Sequence, residues 1–212
     1  MIYFCGDTHG HFDHVLDIVA RDRPSAIVFL GDLQARRPLE QELAPILDLT
    51  EVWYIHGNHD TDTDADYDHL FGSALGERNL HGRVVEIDGV RIAGLGGVFR
   101  GQVWWPPGPW EYESPAEFIA HCGKGNRWRD GLPRKHRSSI FPEDYFRLAS
   151  QRADILVTHE APSAHPHGFD VLDELGRSLR IDKAFHGHHH DCRDYSASSE
   201  RLGFDAYGVG YR

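Results

Sequence analysis

Residues 2–10 read IYFCGDTHG, a short apolar run followed by a glycine, an aspartate and a histidine. The run IYFC has the length and composition of a short buried β-strand. Asp7 and His9 therefore follow directly on a strand, at the kind of sheet edge where α/β proteins bind ligands. One Asp-x-His pair is a weak signal, and it gains meaning only if other strands end in the same way.

Four further strand-like runs do end in polar clusters. They are AIVFL before GDLQ (26–34), EVWYI before HGNHD (51–60), DILVT before HEAP (154–162) and KAF before HGHHH (183–190). Because the carboxyl ends of strands form the ligand crevice of an open α/β sheet, these tips are expected to meet. They would bring together Asp32, Asn58, His59, His159 and several histidines of the last run.

The segments between these runs alternate between helical periodicity and hairpin signals. Helices are predicted at 12–22, 141–152 and 171–180, and a helix at 38–49 should be kinked or divided by Pro45. Asp88 and Gly89 predict a hairpin within 83–96, and residues 203–210 read as a closing strand. The fold class predicted from this pattern is mixed α/β, with helices that cover a central sheet or sheet pair.

Composition limits the classes of protein that fit. A chain of 212 residues, 40% hydrophobic and 26% charged, suits one soluble domain over 1–212. No apolar run approaches the ~20 residues of a membrane span, and no signal peptide is visible. Three cysteines without C-x-x-C spacing fit a reducing, cytoplasmic setting. The net charge of −11 argues against a general nucleic-acid coat, but bound cations would still permit an anionic substrate.

The segment at about 98–142 has no clear period, and we interpret it as an irregular insertion or flap. It holds four of the five tryptophans, and residues 100–137 carry seven Lys or Arg against four acidic residues. Its aromatic content argues against disorder. Two interpretations remain open: a packed surface flap without a substrate role, or a basic lid whose tryptophans stack on bases.

Taken together, GDTHG, GDLQ, GNHD, THEAP and GHHH resemble the five motifs of the calcineurin-like binuclear metallophosphoesterases. This resemblance implies a two-sheet β-sandwich flanked by helices, the αββα arrangement, with two divalent metal ions at the strand ends. It also implies that Asp32 bridges the ions. One ion would bind Asp7, His9, Asp32 and a histidine of the last motif, and the other would bind Asp32, Asn58, His159 and the second histidine.

Carboxylate, imidazole and amide ligands suit Mn²⁺, Fe and Zn²⁺, and we expect Mn²⁺. The four histidines of FHGHHHDC (185–192) could also form a solvated polar turn. The family pattern Gly-His-x-His makes His188 and His190 the ligands. Strand parity agrees with that pair, because alternate residues of a strand share a face. A slipped pair, His186 and His188, lacks the preceding glycine but remains open.

His59 follows Asn58 and resembles the residue that protonates the leaving group in this family, a role that suits an imidazole. A supporting hydrogen bond is the alternative role for His59. Asp60 could orient His59 or cap a helix. We expect His189 and His186 to be supporting residues. Four further histidines are expected at the surface: His11, His14, His165 and His167.

The substrate is less clearly defined by the sequence. RNA lariat debranching enzymes are similar to this sequence in three stretches, GDLQARRP, 79–101 and ILVTHEAP. The similarity does not extend to the segment at 98–142, and the longer C-terminal region of those enzymes is absent. Arg36 and Arg37 could pair with a substrate phosphate, or be solvated. Trp104 and Trp105 could stack on bases.

The predicted function is therefore hydrolysis of a phosphate ester by attack of a metal-bridging hydroxide. A phosphodiester in a nucleotide or RNA-like substrate is the favoured target. A phosphomonoesterase of broad specificity and a non-catalytic metal-binding scaffold are the alternatives. Nothing in the sequence indicates a membrane or an obligate protein partner.

Overall fold

A computed structural model describes residues 1–211, in which nine strands form two sheets. The first sheet is parallel in the order β1-β2-β3 and consists of β1 (Ile2–Cys5), β2 (Ala26–Leu30) and β3 (Glu51–Ile55). Every residue of β2 is buried, because this central strand is covered on both faces. Its unbroken apolar sequence AIVFL follows from that position.

The second sheet has the order β4-β5-β6-β7-β9-β8. Its first two strands form the predicted antiparallel hairpin about Asp88 and Gly89. The neighbours β5, β6, β7 and β9 run parallel, so the ends of β6 and β7 lie side by side. The strands are β4 (Arg83–Ile87), β5 (Val90–Leu95), β6 (Ile155–Thr158), β7 (Lys183–His186), β8 (Arg193–Asp194) and β9 (Asp205–Gly208).

Seven helices surround the sheets in the described part of the chain: α1 (Asp13–Asp22), α2 (Leu39–Glu42), α3 (Asp64–Phe71), α4 (Pro115–His121), α5 (Pro142–Ala149), α6 (Asp170–Leu179) and α7 (Ser199–Leu202). The predicted helix at 38–49 is divided as expected. It ends at Glu42, and a separate turn of 3-10 helix at Ala44–Ile46 contains Pro45, whose ring cannot continue an α-helix. No helix among residues 1–211 is long and apolar enough to cross a membrane.

The two sheets pack face to face. Val28 and Ile55 of the first sheet share a buried cluster with Ile92 and Val157 of the second. The alternate residues Ile27 and Phe29 face outwards against α1, because successive side chains of a strand point to opposite faces. Helices α5 and α6 cover the outer face of the second sheet. This arrangement confirms the predicted mixed α/β class and the sandwich of two sheets flanked by helices.

The segment 98–142 is an ordered part of the fold. It contains α4, short 3-10 turns and isolated bridges such as Trp104 to Trp110. Trp104 is 5% exposed and belongs to the buried cluster beneath α5, whereas the next residue, Trp105, is 56% exposed. Arg129 pairs with Asp68, and Arg134 pairs with Asp64. These two arginines of the segment therefore anchor it to α3.

Candidate metal centre

The strand ends bring six side chains of the types that bind metal ions into two adjoining groups. In each group, one ligand atom from every member lies within 4.8 Å of the others. Asn58 is adjacent, since its Oδ1 lies 3.3 Å from His159 Nε2. The structure thus places all seven ligands predicted from the sequence in one region. The groups are Asp7, His9 and His190, and Asp32, His159 and His188.

Three of these side chains are withdrawn from water. Asp7 and His159 are fully buried, and Asp32 is 1% exposed. Burial lowers the pKa of His159, but the nearby carboxylates of Asp32 and Asp7 outweigh this effect and raise its pKa to about 10. Two buried carboxylates therefore create a strong demand for positive charge at this point. A divalent cation would satisfy that demand, and the mixed carboxylate, imidazole and amide set suits Mn²⁺, Fe or Zn²⁺.

Hydrogen bonds fix which nitrogen each ligand histidine presents. His159 donates its Nδ1 hydrogen to the Leu30 carbonyl oxygen at 2.7 Å, so Nε2 is the nitrogen that faces Asp32 Oδ2, at 3.3 Å. His9 donates its Nδ1 hydrogen to Gln34 Oε1 at 2.6 Å. Its Nε2 then faces His190 Nε2 at 2.9 Å. Such outer partners orient metal-binding imidazoles and raise their basicity, so both histidines are prepared to bind a cation.

Backbone groups position the carboxylates. The His188 amide donates to both oxygens of Asp7, at 3.1 and 3.0 Å, and the His59 amide donates to Asp32 Oδ1 at 2.8 Å. The loop at Gly57 passes so close that a Cβ there would lie 2.2 Å from Asp32 Oδ1. Only glycine allows this approach, which explains the glycine before Asn58.

His59 lies at the rim of the centre, with its ring centroid 5.7 Å from that of His9. Its Nδ1 is hydrogen-bonded to Asp62 Oδ2 at 2.6 Å. Partial burial lowers the pKa of His59. The hydrogen bond to Asp62 and the charge of Asp32 raise it by more, so the net shift of the pKa is upwards. The suggestion that Asp60 orients His59 is wrong. Asp60 is fully buried and accepts hydrogen bonds from the Gln34 and Gly57 amides, both at 2.8 Å.

The histidine run does not continue the strand, so the parity argument was wrong. Strand β7 ends at His186, and His188 and His190 adopt left-handed backbone conformations with φ of 72° and 57°. Those turns direct the two rings into different ligand groups. His186 is buried and hydrogen-bonded to Tyr195 Oη at 3.0 Å, outside both groups, so the slipped pair is not formed.

His189 stacks on His165, with ring centroids 3.9 Å apart. His165 is 5% exposed, so its predicted surface position was wrong. No sequence pattern indicates this contact, because the two histidines are separated along the chain by helix α6. The four histidines of residues 186–190 thus divide between the two ligand groups and a supporting network of aromatic contacts.

The residues predicted to bind substrate are separated by the fold. Arg37 is exposed and pairs with Glu42 at 3.2 Å, and Trp104 packs in the core against Tyr145. Arg36 is exposed beside Gly10, one residue from His9. Trp105 lines a cleft that also contains Asn58 and His188. The structure therefore brings Trp105 to the centre and leaves Arg37 and Trp104 outside it.

Comparisons with known proteins agree with this geometry. Residues 1–192 match the family model of the calcineurin-like phosphoesterases, and the chain therefore belongs to that family. A protein of Haemophilus influenzae, described only as uncharacterized, is 42% identical over 212 residues, which are all of this chain and 92% of the relative.

Solved structures share the fold. The crystal structure of TT1561 of Thermus thermophilus aligns with a TM-score of 0.58 and 16% identity, over 99% of this chain and 88% of that one. A second solved structure aligns with a TM-score of 0.58 and 14% identity, over 99% and 90%. At this level of identity the structural matches support the fold alone.

Gln34 is a supporting residue that the sequence reasoning missed, although it lies within the motif GDLQ. We expect Gln34→Leu to weaken metal binding at the group of Asp7, His9 and His190 by about 10–100-fold, because His9 loses the acceptor that orients it. Titration of the metal-free protein with Mn²⁺ measures this effect. Gln41→Leu, an exposed glutamine on α2, is the matched control. Unchanged affinity in Gln34→Leu would show that His9 does not need this partner.

Proposed function

We propose that the protein hydrolyses phosphate esters at a binuclear metal centre, and that its preferred substrates are phosphodiesters in nucleotides or RNA. The two adjoining ligand groups at the strand ends carry this proposal. A lone group could serve a structural ion, but two groups that meet where Asp7 Oδ1 lies 3.7 Å from His159 Nδ1 suit the paired ions of phosphoryl-transfer sites. Family membership supports the same reaction class.

In this proposal two divalent ions, most simply Mn²⁺, are held by the seven ligands. Asp7, His9 and His190 would bind the first, while Asn58, His159 and His188 would bind the second, with Asp32 between them. Bound ions of this kind polarise a phosphate and generate its nucleophile at neutral pH. The chain itself orients the ligands through hydrogen bonds. The Leu30 carbonyl and the Gln34 amide fix the histidine tautomers, and the His188 amide fixes Asp7.

We assign His59 as the group that protonates the departing oxygen. Its ring lies near His9 but does not belong to either ligand group, and its side chain is 45% exposed, so a substrate can reach it. Asp62 accepts the Nδ1 hydrogen at 2.6 Å and so leaves Nε2 to hold the proton that is transferred. A hydrogen-bonded carboxylate also favours the imidazolium form that this step requires.

The shape of the site supports a diester better than a small monoester. A cleft of about 290 Å³ adjoins Asn58 and His188 and is lined in part by side chains of the segment 98–142. A phosphomonoesterase of broad specificity needs little beyond the metals and a phosphate clamp. A cleft beside the ligand groups would receive the second group that a diester carries on its phosphorus.

The experiment that tests the proposal is a substrate screen of the manganese-loaded protein. It should include p-nitrophenyl phosphate, bis-p-nitrophenyl phosphate, cyclic nucleotides, and short RNAs with 3′-5′ and 2′-5′ linkages. We expect kcat/KM for the diesters to exceed that for the monoester. A monoester preference would favour the broad phosphomonoesterase. Two bound ions without turnover of any ester would favour the non-catalytic scaffold.

A further inference from the structure

The cleft beside the ligand groups has a mixed lining that the metal chemistry leaves unexplained. Asn58 and His188 line it, together with the exposed side chains of Trp105 and His167 and the buried carboxyl group of Glu160. Its volume of about 290 Å³ is near the lower end of the range for small-molecule sites and suits one ring system with a short polar group. A ligand that fills the cleft must therefore contact both aromatic and charged side chains.

Arg100 supplies the positive charge of the cleft. Its Nη2 lies 3.4 Å from Ser138 Oγ, and its Nη1 is buried without a hydrogen-bond partner. No carboxylate of residues 1–211 forms an ion pair with Arg100, whereas Arg129 and Arg134 of the same segment are each paired with an aspartate. The carboxylates of Asp62, Glu160 and Asp32 act on Arg100 only at longer range, and a phosphate oxygen in the cleft would give the guanidinium a direct acceptor.

Trp105 supplies an aromatic face. The ring is 56% exposed, yet it is held edge-on by Phe169 at a centroid distance of 5.3 Å. Phe169 in turn packs on Phe99 at 4.6 Å. The tryptophan therefore packs on a pair of buried aromatic rings, while much of its surface remains exposed. A ring fixed in this way can stack on a flat ligand at little cost in side-chain entropy.

We propose that this cleft binds one nucleoside monophosphate unit of the substrate, with its base stacked on Trp105 and a phosphate oxygen against Arg100. The inference rests on the proposed phosphodiesterase function and names the part of the substrate that the cleft selects. Both contacts are tolerant of base identity, because every base has a stacking face and every nucleotide has a phosphate. The site would therefore distinguish nucleotides from simple phosphate esters more strongly than it distinguishes one base from another.

Binding measurements without turnover test the inference. The ligands are the methylenephosphonate analogue of AMP, which cannot be hydrolysed at the bridging position, the matching analogue of ribose 5-phosphate, and adenosine. Titration calorimetry on the manganese-loaded protein gives each affinity. We expect the AMP analogue to bind about tenfold more tightly than the ribose analogue. Trp105→Leu should remove most of that advantage and leave the ribose analogue unchanged.

Arg100→Gln should weaken both phosphonates about tenfold or more and leave adenosine unchanged. Two variants serve as matched controls, Arg129→Gln, which removes a paired cation of the same segment, and Trp110→Leu, which removes a 43% exposed tryptophan that packs on Phe146. Neither residue lines the cleft, so neither variant should alter binding of any ligand. Thermal unfolding establishes that each variant is folded.

Three results would overturn the inference. They are equal affinity for the AMP and ribose analogues, an equal loss for both in Trp105→Leu, or a loss in the control variants as large as that in Arg100→Gln. Each could occur while the wild type still hydrolyses diesters, which would leave the proposed function intact. The expected binding pattern in a protein that hydrolyses no ester would instead reject the proposed function and retain the nucleotide site.

Discussion

Replacement of Asp32 by alanine is expected to release metal from both ligand groups and to abolish turnover. Asp32 lies 3.3 Å from His159 Nε2 and is the carboxylate assigned to bridge the ions. Its removal takes one ligand from each ion and leaves two cations to repel each other without an anion between them. The metal content measured by elemental analysis after dialysis should fall from two ions per chain to fewer than one.

A second variant is needed at this position, because the backbone conformation of Asp32 is strained for alanine. Asp32 adopts φ of 49°, a conformation that asparagine tolerates better than alanine. Asp32→Asn therefore isolates the loss of charge from strain, and it should lose metal as well. Asp17→Asn, an exposed aspartate of α1, is the control for a surface charge. Two ions retained in Asp32→Asn would mean that Asp32 does not bridge them.

The second large effect is expected in His59→Asn. Proton donation to a leaving group is typically worth ~10²–10⁴ in rate, so kcat for alkyl or nucleoside leaving groups should fall by about that factor. The loss should be smaller for p-nitrophenolate, which is already a weak base. Metal content should remain at the wild-type value, because His59 belongs to neither ligand group.

Asp62→Asn refines this test. The variant keeps His59 but replaces the carboxylate that is 2.6 Å from its Nδ1 by an amide. We expect a smaller loss than in His59→Asn, with the same dependence on the leaving group. If His59→Asn loses metal in proportion to activity, the residue supports the centre instead. An equal loss for good and poor leaving groups, with metals intact, would point to phosphate binding by His59.

The strands and their polar ends were predictable because burial leaves a strong pattern. A strand covered on both faces, such as β2, must be apolar throughout, and the chain must turn polar where it leaves the sheet. Five such ends in order along the chain predict where the polar side chains meet, whereas the choice of individual metal ligands came from the family resemblance and stays a prediction. The division of the helix at Pro45 was predictable for an equally local reason, since the proline ring excludes a continuous α-helix.

Residues whose roles depend on long-range packing were not predictable. Trp104 and Trp105 are adjacent and chemically identical, and only the folded surroundings place one in the core and the other at the cleft. The partners of His9 and His159 lie 25 and 129 positions away. The strand parity assumed for residues 186–190 failed because the backbone leaves the sheet at His186 and turns through left-handed conformations.

The placement of Asp7 has a consequence for the folding landscape of the protein. Its carboxylate is fully buried, and burial raises its pKa, so the charged form is disfavoured in the ion-free chain. The charge of His159 offsets part of this cost, but Asp32 lies nearby and adds to it by repulsion. The ligand site is thus a locally frustrated region inside an otherwise consistent fold. Bound cations would relieve that frustration, so the same interactions that prepare the site for catalysis would couple native-state stability to the free metal concentration.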